Sequence, residues 1–232
     1  NTLQIIETTA SANEEEAYVV DVEDTDVLFR DSVTSENGHV DMGGGSAGGA
    51  ARIYLVDSEF TSEGSIFSLN EGANGALYFA DVDGESGVTL DDTDLLDNTS
   101  YSGGAAANLF ASAGQDDVTT VRIVDSTISG NATIAGGAGG LALGTFNPDG
   151  EFTVEIERTT ISGNSTSGAG GGLAFRAQTP DAGQPTLTIA DSTISGNSAD
   201  RGAGLSLDRW GPEGHSGTVL VRNSTISGNT GP

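Results

Sequence analysis

The sequence predicts an all-β fold in which strands stack as coils of a parallel solenoid. Three observations carry this. One phrase recurs almost unchanged, as DSTISGNA (125–132), TTISGNS (159–165), DSTISGNSA (191–199) and NSTISGNT (223–230). Its asparagines, Asn131, Asn164, Asn197 and Asn229, are spaced by 33, 33 and 32 residues. No stretch carries a helical apolar period, whereas short alternating apolar runs bounded by Gly, Ser and Asn recur throughout. A fixed period with columns in register is the mark of a repeat architecture.

Each unit opens on an apolar-x-apolar pair: Val121 and Ile123, Val154 and Ile156, Leu187 and Ile189, Val219 and Val221. The phrase follows, then a stretch of small residues, then a glycine-led pair in GGLAL (139–143), GGLAF (171–175) and AGLSL (203–207). Degenerate copies extend upstream. VTLDDTDLLDN (88–98) places Leu95 at the Ile position and Asn98 in register. IYLVDSEFTSE (53–63) and VDVEDTDVLFR (20–30) place Phe60 and Val27 at the Ile position, with Glu63 and Arg30 standing for Asn. Units thus open at 20, 53, 88, 121, 154, 187 and 219, while LQIIETTASAN (3–13) makes a partial eighth. One domain spans 1–232, with 1–19 a degenerate N-terminal coil or cap and 20–230 the repeat coils.

Stacking puts equivalent residues in ladders. Val27, Phe60, Leu95, Ile128, Ile161, Ile194 and Ile226 should form one inward ladder. Val40, Leu77, Leu109, Leu141, Leu173 and Leu205 should form another. Ala142, Ala174 and Ser206 then form a flat outward strip. Asn98, Asn131, Asn164, Asn197 and Asn229 sit at a turn, where Asn tolerates left-handed backbone and its amide bonds the next coil.

Apolar-x-x-Asn followed by a Gly-led apolar pair, clearest in ISGNSADRGAGLSL (194–207), resembles the paired FxxN and GGA(I/L/V) repeats of chlamydial polymorphic membrane proteins. It is also similar to the right-handed parallel β-helix repeats of large bacterial surface adhesins. The resemblance implies a right-handed parallel β-helix, here of about seven coils with a repeat of about 33 residues, displayed extracellularly or at the cell surface. It covers 20–230 and departs from the family pattern where Ile replaces Phe and where the first units lose Asn.

Thirty-four acidic residues oppose 8 basic ones, all arginine, for a net charge of −26. Such a surface repels nucleic acid, and no apolar run approaches the roughly 18 residues of a membrane span. There is no cysteine for thiolate or disulfide chemistry. The acids pair up at Asp24/Asp26, Asp57/Glu59 and Asp92/Asp94, which a constant period would stack; a solvated acidic face is the first reading and bridging by calcium, the candidate cofactor, the alternative. The first column should continue through Asp125, Arg158, Asp191 and Asn223 as an ion-pair ladder. DVDGES (81–86) adds Asp81, Asp83 and Glu85, similar to the start of an EF-hand loop without its distal Glu; NPDGE (147–151) is weaker. His39 and His215 stand in unlike contexts, and Trp210 is the sole Trp, a candidate for stacking on sugars.

Two functions follow. One is a non-catalytic structural or adhesive surface module whose partners are neighbouring β-helix segments, or copies of itself stacked head to tail. The other is a polysaccharide-binding or polysaccharide-degrading β-helix, a lyase or a glycoside hydrolase, since stacked carboxylates about 5 Å apart also suit a retaining mechanism. The absence of Lys and of an Arg cluster disfavours recognition of an acidic sugar.

Overall fold

A computed structural model describes residues 1–38, 49–112, 117–145, 150–177, 185–209 and 217–231. It is all-β, and every strand pairing is parallel to the coil before and the coil after, as in a β-solenoid. One coil defines the plan: Val118–Val124 forms the first side, Thr127–Ser129 the second, Ala132–Thr133 the third and Leu141–Thr145 the fourth. The sheets on these sides hold eight, eight, four and seven strands. About five turns carry all four sides, rather than seven equal coils.

The corners explain the repeated phrase. Asp125 (φ 49°) turns the chain from the first side to the second, and Gly130 (φ 70°) turns it from the second to the third. Both are left-handed residues, which Gly adopts freely and Asp or Asn adopt more readily than other side chains. Each is followed by a buried polar residue, Ser126 and then Asn131. Between them Thr127 and Ser129 point outward and Ile128 is fully buried.

Asn131 shows what the second polar residue does. Its Oδ1 accepts from the backbone N–H and the Nδ2 of Asn98 (3.0 and 2.9 Å). Its own N–H and Nδ2 donate to Asn164 Oδ1 (3.0 and 2.9 Å), and Nδ2 also reaches Leu95 O at 2.9 Å. The expected ladder from Asn98 to Asn229 is present. It also runs further, through Asn70, Asn37 and Asn13.

That extension corrects the register of the early coils. The Asn column steps by 24, 33 and 28 residues up to Asn98, and by 33, 33, 33 and 32 beyond it. A constant period carried across the 28-residue coil lands on the wrong side of the solenoid. Val27 and Phe60 therefore belong to the first side, in one column with Val88 and Val121. The column of Ile128 instead continues through Leu95, Phe67, Thr34 and Ala10. Arg30 and Glu63 do not replace Asn; they are neighbours on the first side, joined at 2.7 Å. Leu109 stacks with Phe79 and Leu143, and Ala107 stands between Leu77 and Leu141. Val40 lies outside the described residues.

The core is a sleeve of these columns: Val and Ile in later coils, with an aromatic knot earlier where Phe29 meets Phe60 and Phe67 at 5.5 and 6.0 Å. Removing an interior amide should cost far more than removing a terminal one. Asn131→Ala strands two donors of Asn98 in a dry site, at about 1–3 kcal/mol per unsatisfied group, so urea unfolding should show a loss of about 3–5 kcal/mol. Asn229→Ala, where water reaches the ladder, should cost under about 1 kcal/mol.

Candidate functional site

The acidic pairs do not share one column. Asp24 (φ 49°) and Asp57 (φ 48°) turn the chain from the fourth side to the first, and Gly84 (φ 67°) occupies that corner one coil later. Asp92 (φ 47°) turns it from the first side to the second, in the column of Asp31, Asp125, Arg158, Asp191 and Asn223. The two corners carry the same chemistry, a left-handed residue followed by Ser or Thr, which is why they read alike in sequence.

At the fourth-to-first corner three carboxylates accept from backbone N–H groups through one oxygen each. Asp57 Oδ1 accepts from Glu85 N–H at 3.0 Å, Asp26 Oδ1 from Glu59 N–H at 3.3 Å, and Asp83 Oδ1 from Gly84 N–H at 2.9 Å. DVDGES is thus the end of a strand (Leu77–Asp83) and the corner that follows it. Asp81 sits in the strand on the outward side, with Asp83 closing it. Among the described residues no three His, Asp or Glu side chains converge where they could hold a metal ion. Calcium takes 6–8 oxygens, so a site at these corners would have to draw on backbone carbonyls and water beside the carboxylates. Asp94 lies on the second side beside Ile66 and Thr127, away from Asp24, Asp26, Asp57 and Glu59.

Glu59 has a raised affinity for protons. Partial burial raises it above the usual range, and the nearby Asp26 charge adds to the effect. The carboxylate folds over Gly87 of the next coil, where a Cβ would overlap it. The opposite case is Asp125, held below the usual range first by hydrogen bonds from Arg158 and then by its charge. Arg158 Nε and Nη2 grip both its oxygens at 2.7 and 2.8 Å, and Nη1 also meets Glu157 at 2.6 Å. Both side chains are nearly half exposed, so the pair is a surface clamp between coils.

The outward strip is not bare. Asn108, Ala142, Ala174 and Ser206 form one column on the fourth side, and each is buried. The glycine-led turn preceding each strand folds back over it: a Cβ on Gly170 would come within 2.7 Å of Ala174 N, and one on Gly202 within 3.0 Å of Ser206 Cβ. This local cover removes the strip as a docking surface. His39, Trp210, His215 and most of NPDGE lie outside the described residues.

Two features escape the sequence pattern. The first is Asn13, Asn37 and Asn70, hidden by the unequal steps, although Ala10-x-x-Asn13, Thr34-x-x-Asn37 and Phe67-x-x-Asn70 keep the local spacing. The second is a hydroxyl ladder at the first-to-second corner. Thr8, Ser32, Thr93, Ser126, Thr159 and Ser192 each donate N–H to the hydroxyl of the next coil, at 3.1–3.4 Å.

The class defined is a parallel β-solenoid with polar ladders at its corners. No family model, curated protein or solved structure matches the chain. No helix among the described residues is long and apolar enough to cross a membrane.

Two outcomes test this geometry. Because folding raises the Glu59 carboxyl, its ionisation opposes the fold, and stability falls as pH rises from the ordinary Glu value through the raised one. Glu59→Gln should therefore raise the melting temperature at pH 7 and leave it unchanged near pH 3, where wild type is protonated. At matched ionic strength, calcium and chelator should give the same melting temperature within about 2 °C, a shift of no more than about 1 kcal/mol for a domain this size; a larger shift would make the acidic corners cation sites.

Proposed function

We propose that the protein is a non-catalytic structural module of a bacterial or archaeal cell surface, a rigid spacer whose outer faces are left for adhesive contacts. The observation that carries this reading is the Asn ladder, continuous from Asn13 to Asn229. Buried polar groups are expensive, and along this column they are spent on bonds from coil to coil. Asp26, Asp57 and Asp83 at the fourth-to-first corner likewise accept from backbone N–H groups, the role of corner caps rather than of substrate contacts. A surface of net charge −26 stays soluble and unaggregated in a saline exterior, where counterions screen it.

Reducing-end and unsaturated-product assays on polyuronides and neutral glycans should show no cleavage. Antibody raised against the chain should label intact, unpermeabilised cells of the source organism. Cleavage that disappears in Asp57→Asn or Glu59→Gln would replace the structural reading with the enzymatic one.

A further inference from the structure

The outer face of the fourth side changes character along the solenoid. In the later coils one of its columns holds Ala142, Ala174 and Ser206, all buried. In the earlier coils the same column runs Arg52, Tyr78 and Asn108, and the column beside it places Tyr54 between Asp21 and Asp81. Asp81 reaches that place through a β-bulge. The pairing of Leu77–Asp83 with Ala51–Val56 slips by one residue between Phe79 and Asp81. In unbroken register Ala80 would stand opposite Tyr54 instead. A bulge of this kind re-aims a side chain, and here it sets an exposed carboxylate beside a phenol.

Tyrosine is scarce in this chain, at 4 residues, and two of them stand together here. Both are partly exposed, whereas Phe29, Phe60, Phe67 and Phe79 are buried in the core. Burial raises the Tyr78 phenol above its ordinary value; Tyr54 adds to this, Arg52 opposes it and Asp81 adds again. The four side chains thus act on one another, and Tyr78 stays a protonated donor at neutral pH. Arg52 is already engaged, its Nε lying 3.2 Å from Glu16, whose side chain is 7% exposed. Asn108, the register neighbour of Tyr78, is 6% exposed, and its Oδ1 is buried with no donor among the described residues. A buried amide acceptor left without a donor is destabilising, and a hydroxyl brought from outside the chain would satisfy it.

We infer that this face is a binding surface for a neutral polysaccharide, with Tyr54 and Tyr78 against the sugar rings and Asp81 and Asn108 accepting from sugar hydroxyls. The inference rests on the structural reading and names the partner of its outer face. The occupant follows from the chemistry. A phenol offers an apolar ring and one polar tip, which matches the apolar ring face and hydroxyl rim of a sugar. Carboxylate and amide oxygens accept, and a carboxylate bonds a hydroxyl more strongly than a neutral acceptor does. Asp21, Asp81 and Glu16 outweigh Arg52, and the whole chain carries −26, which repels uronic and sulfated glycans. A cationic partner would meet Arg52 in the column of Tyr78. Phe110 bounds the patch toward the later coils, lying over Gly144, where a Cβ would come within 2.8 Å of its ring.

Native electrophoresis of the whole chain through gels holding soluble β-glucan, mannan or xylan tests this. At least one of the three should retard it, and polygalacturonate should not. Tyr54→Ala and Tyr78→Ala should each weaken the retardation about tenfold in apparent dissociation constant, through lost ring contact. Asp81→Asn, an exposed change, should weaken it about threefold, through loss of a charge-assisted acceptor. Tyr78→Phe, which keeps the ring, should weaken it less than Tyr78→Ala. Thr160→Ala, outward on the second side, should leave it unchanged. Circular dichroism confirms folding of each, and Asp81→Asn and Tyr78→Phe keep the test decisive if an alanine variant unfolds. The inference is overturned by no retardation in any of the three gels, by retardation that the folded Tyr54 and Tyr78 variants and Asp81→Asn all retain, or by a tyrosine-dependent response to poly-lysine alone. Each of these leaves the structural reading standing, since only glycan cleavage or unlabelled cells bear on that.

Discussion

The structure depends on a buried amide that no single coil can satisfy. Asn131 makes its side-chain bonds almost entirely to residues in the coils before and after it, and the same holds along the column. An isolated coil would bury an Asn with open valences, at a cost of a few kcal/mol. Stacking removes that penalty and closes the apolar sleeve in the same step. The ladder therefore couples local turn geometry to global cooperativity, as expected where each repeat is stabilised chiefly by its neighbours. It also fixes register: sliding one coil by a residue would break the amide column and turn every inward side chain outward.

The same logic explains which parts of the sequence were legible. DSTISGN encodes two corners and the strand between them, so where it is repeated the period, the inward Ile and the ladder could all be read. Upstream, two things hid the register. The step from Asn70 to Asn98 is 28 residues, so a constant period drifts. The fourth-to-first corner also imitates the first-to-second corner, because Asp57-Ser58 and Asp125-Ser126 meet the same demand with the same residues. Phe60 and Phe67 are both buried apolar residues, and only the Asn three residues after Phe67 separates their columns.

The acidic residues were harder to read, since charge in a sequence does not say what it touches. Asp57, Asp26 and Asp83 cap backbone N–H groups, and Asp125 is clamped by Arg158. Only three-dimensional placement shows that these carboxylates cap backbone. The small residues of the fourth side misled for a related reason. Alternation places Ala142 and Ala174 outward, but the glycine turns that precede their strands cover them. Small outward residues here mark close approach of backbone rather than an open platform.

A ladder of amides and hydroxyls pointing one way gives the solenoid a polarity beyond that of its parallel strands. Parallel edges already offer alternating donors and acceptors at both ends, and such edges pair promiscuously unless something selects the partner. Between successive coils the side-chain ladders supply that selection: the Asn column sets the angular register, and the hydroxyl column repeats it one corner away. Net charge keeps the outer faces apart, since a −26 surface is self-repelling. Specific stacking inside and general repulsion outside thus arise from the same division: neutral polar residues held inside for stacking, and carboxylates kept toward solvent.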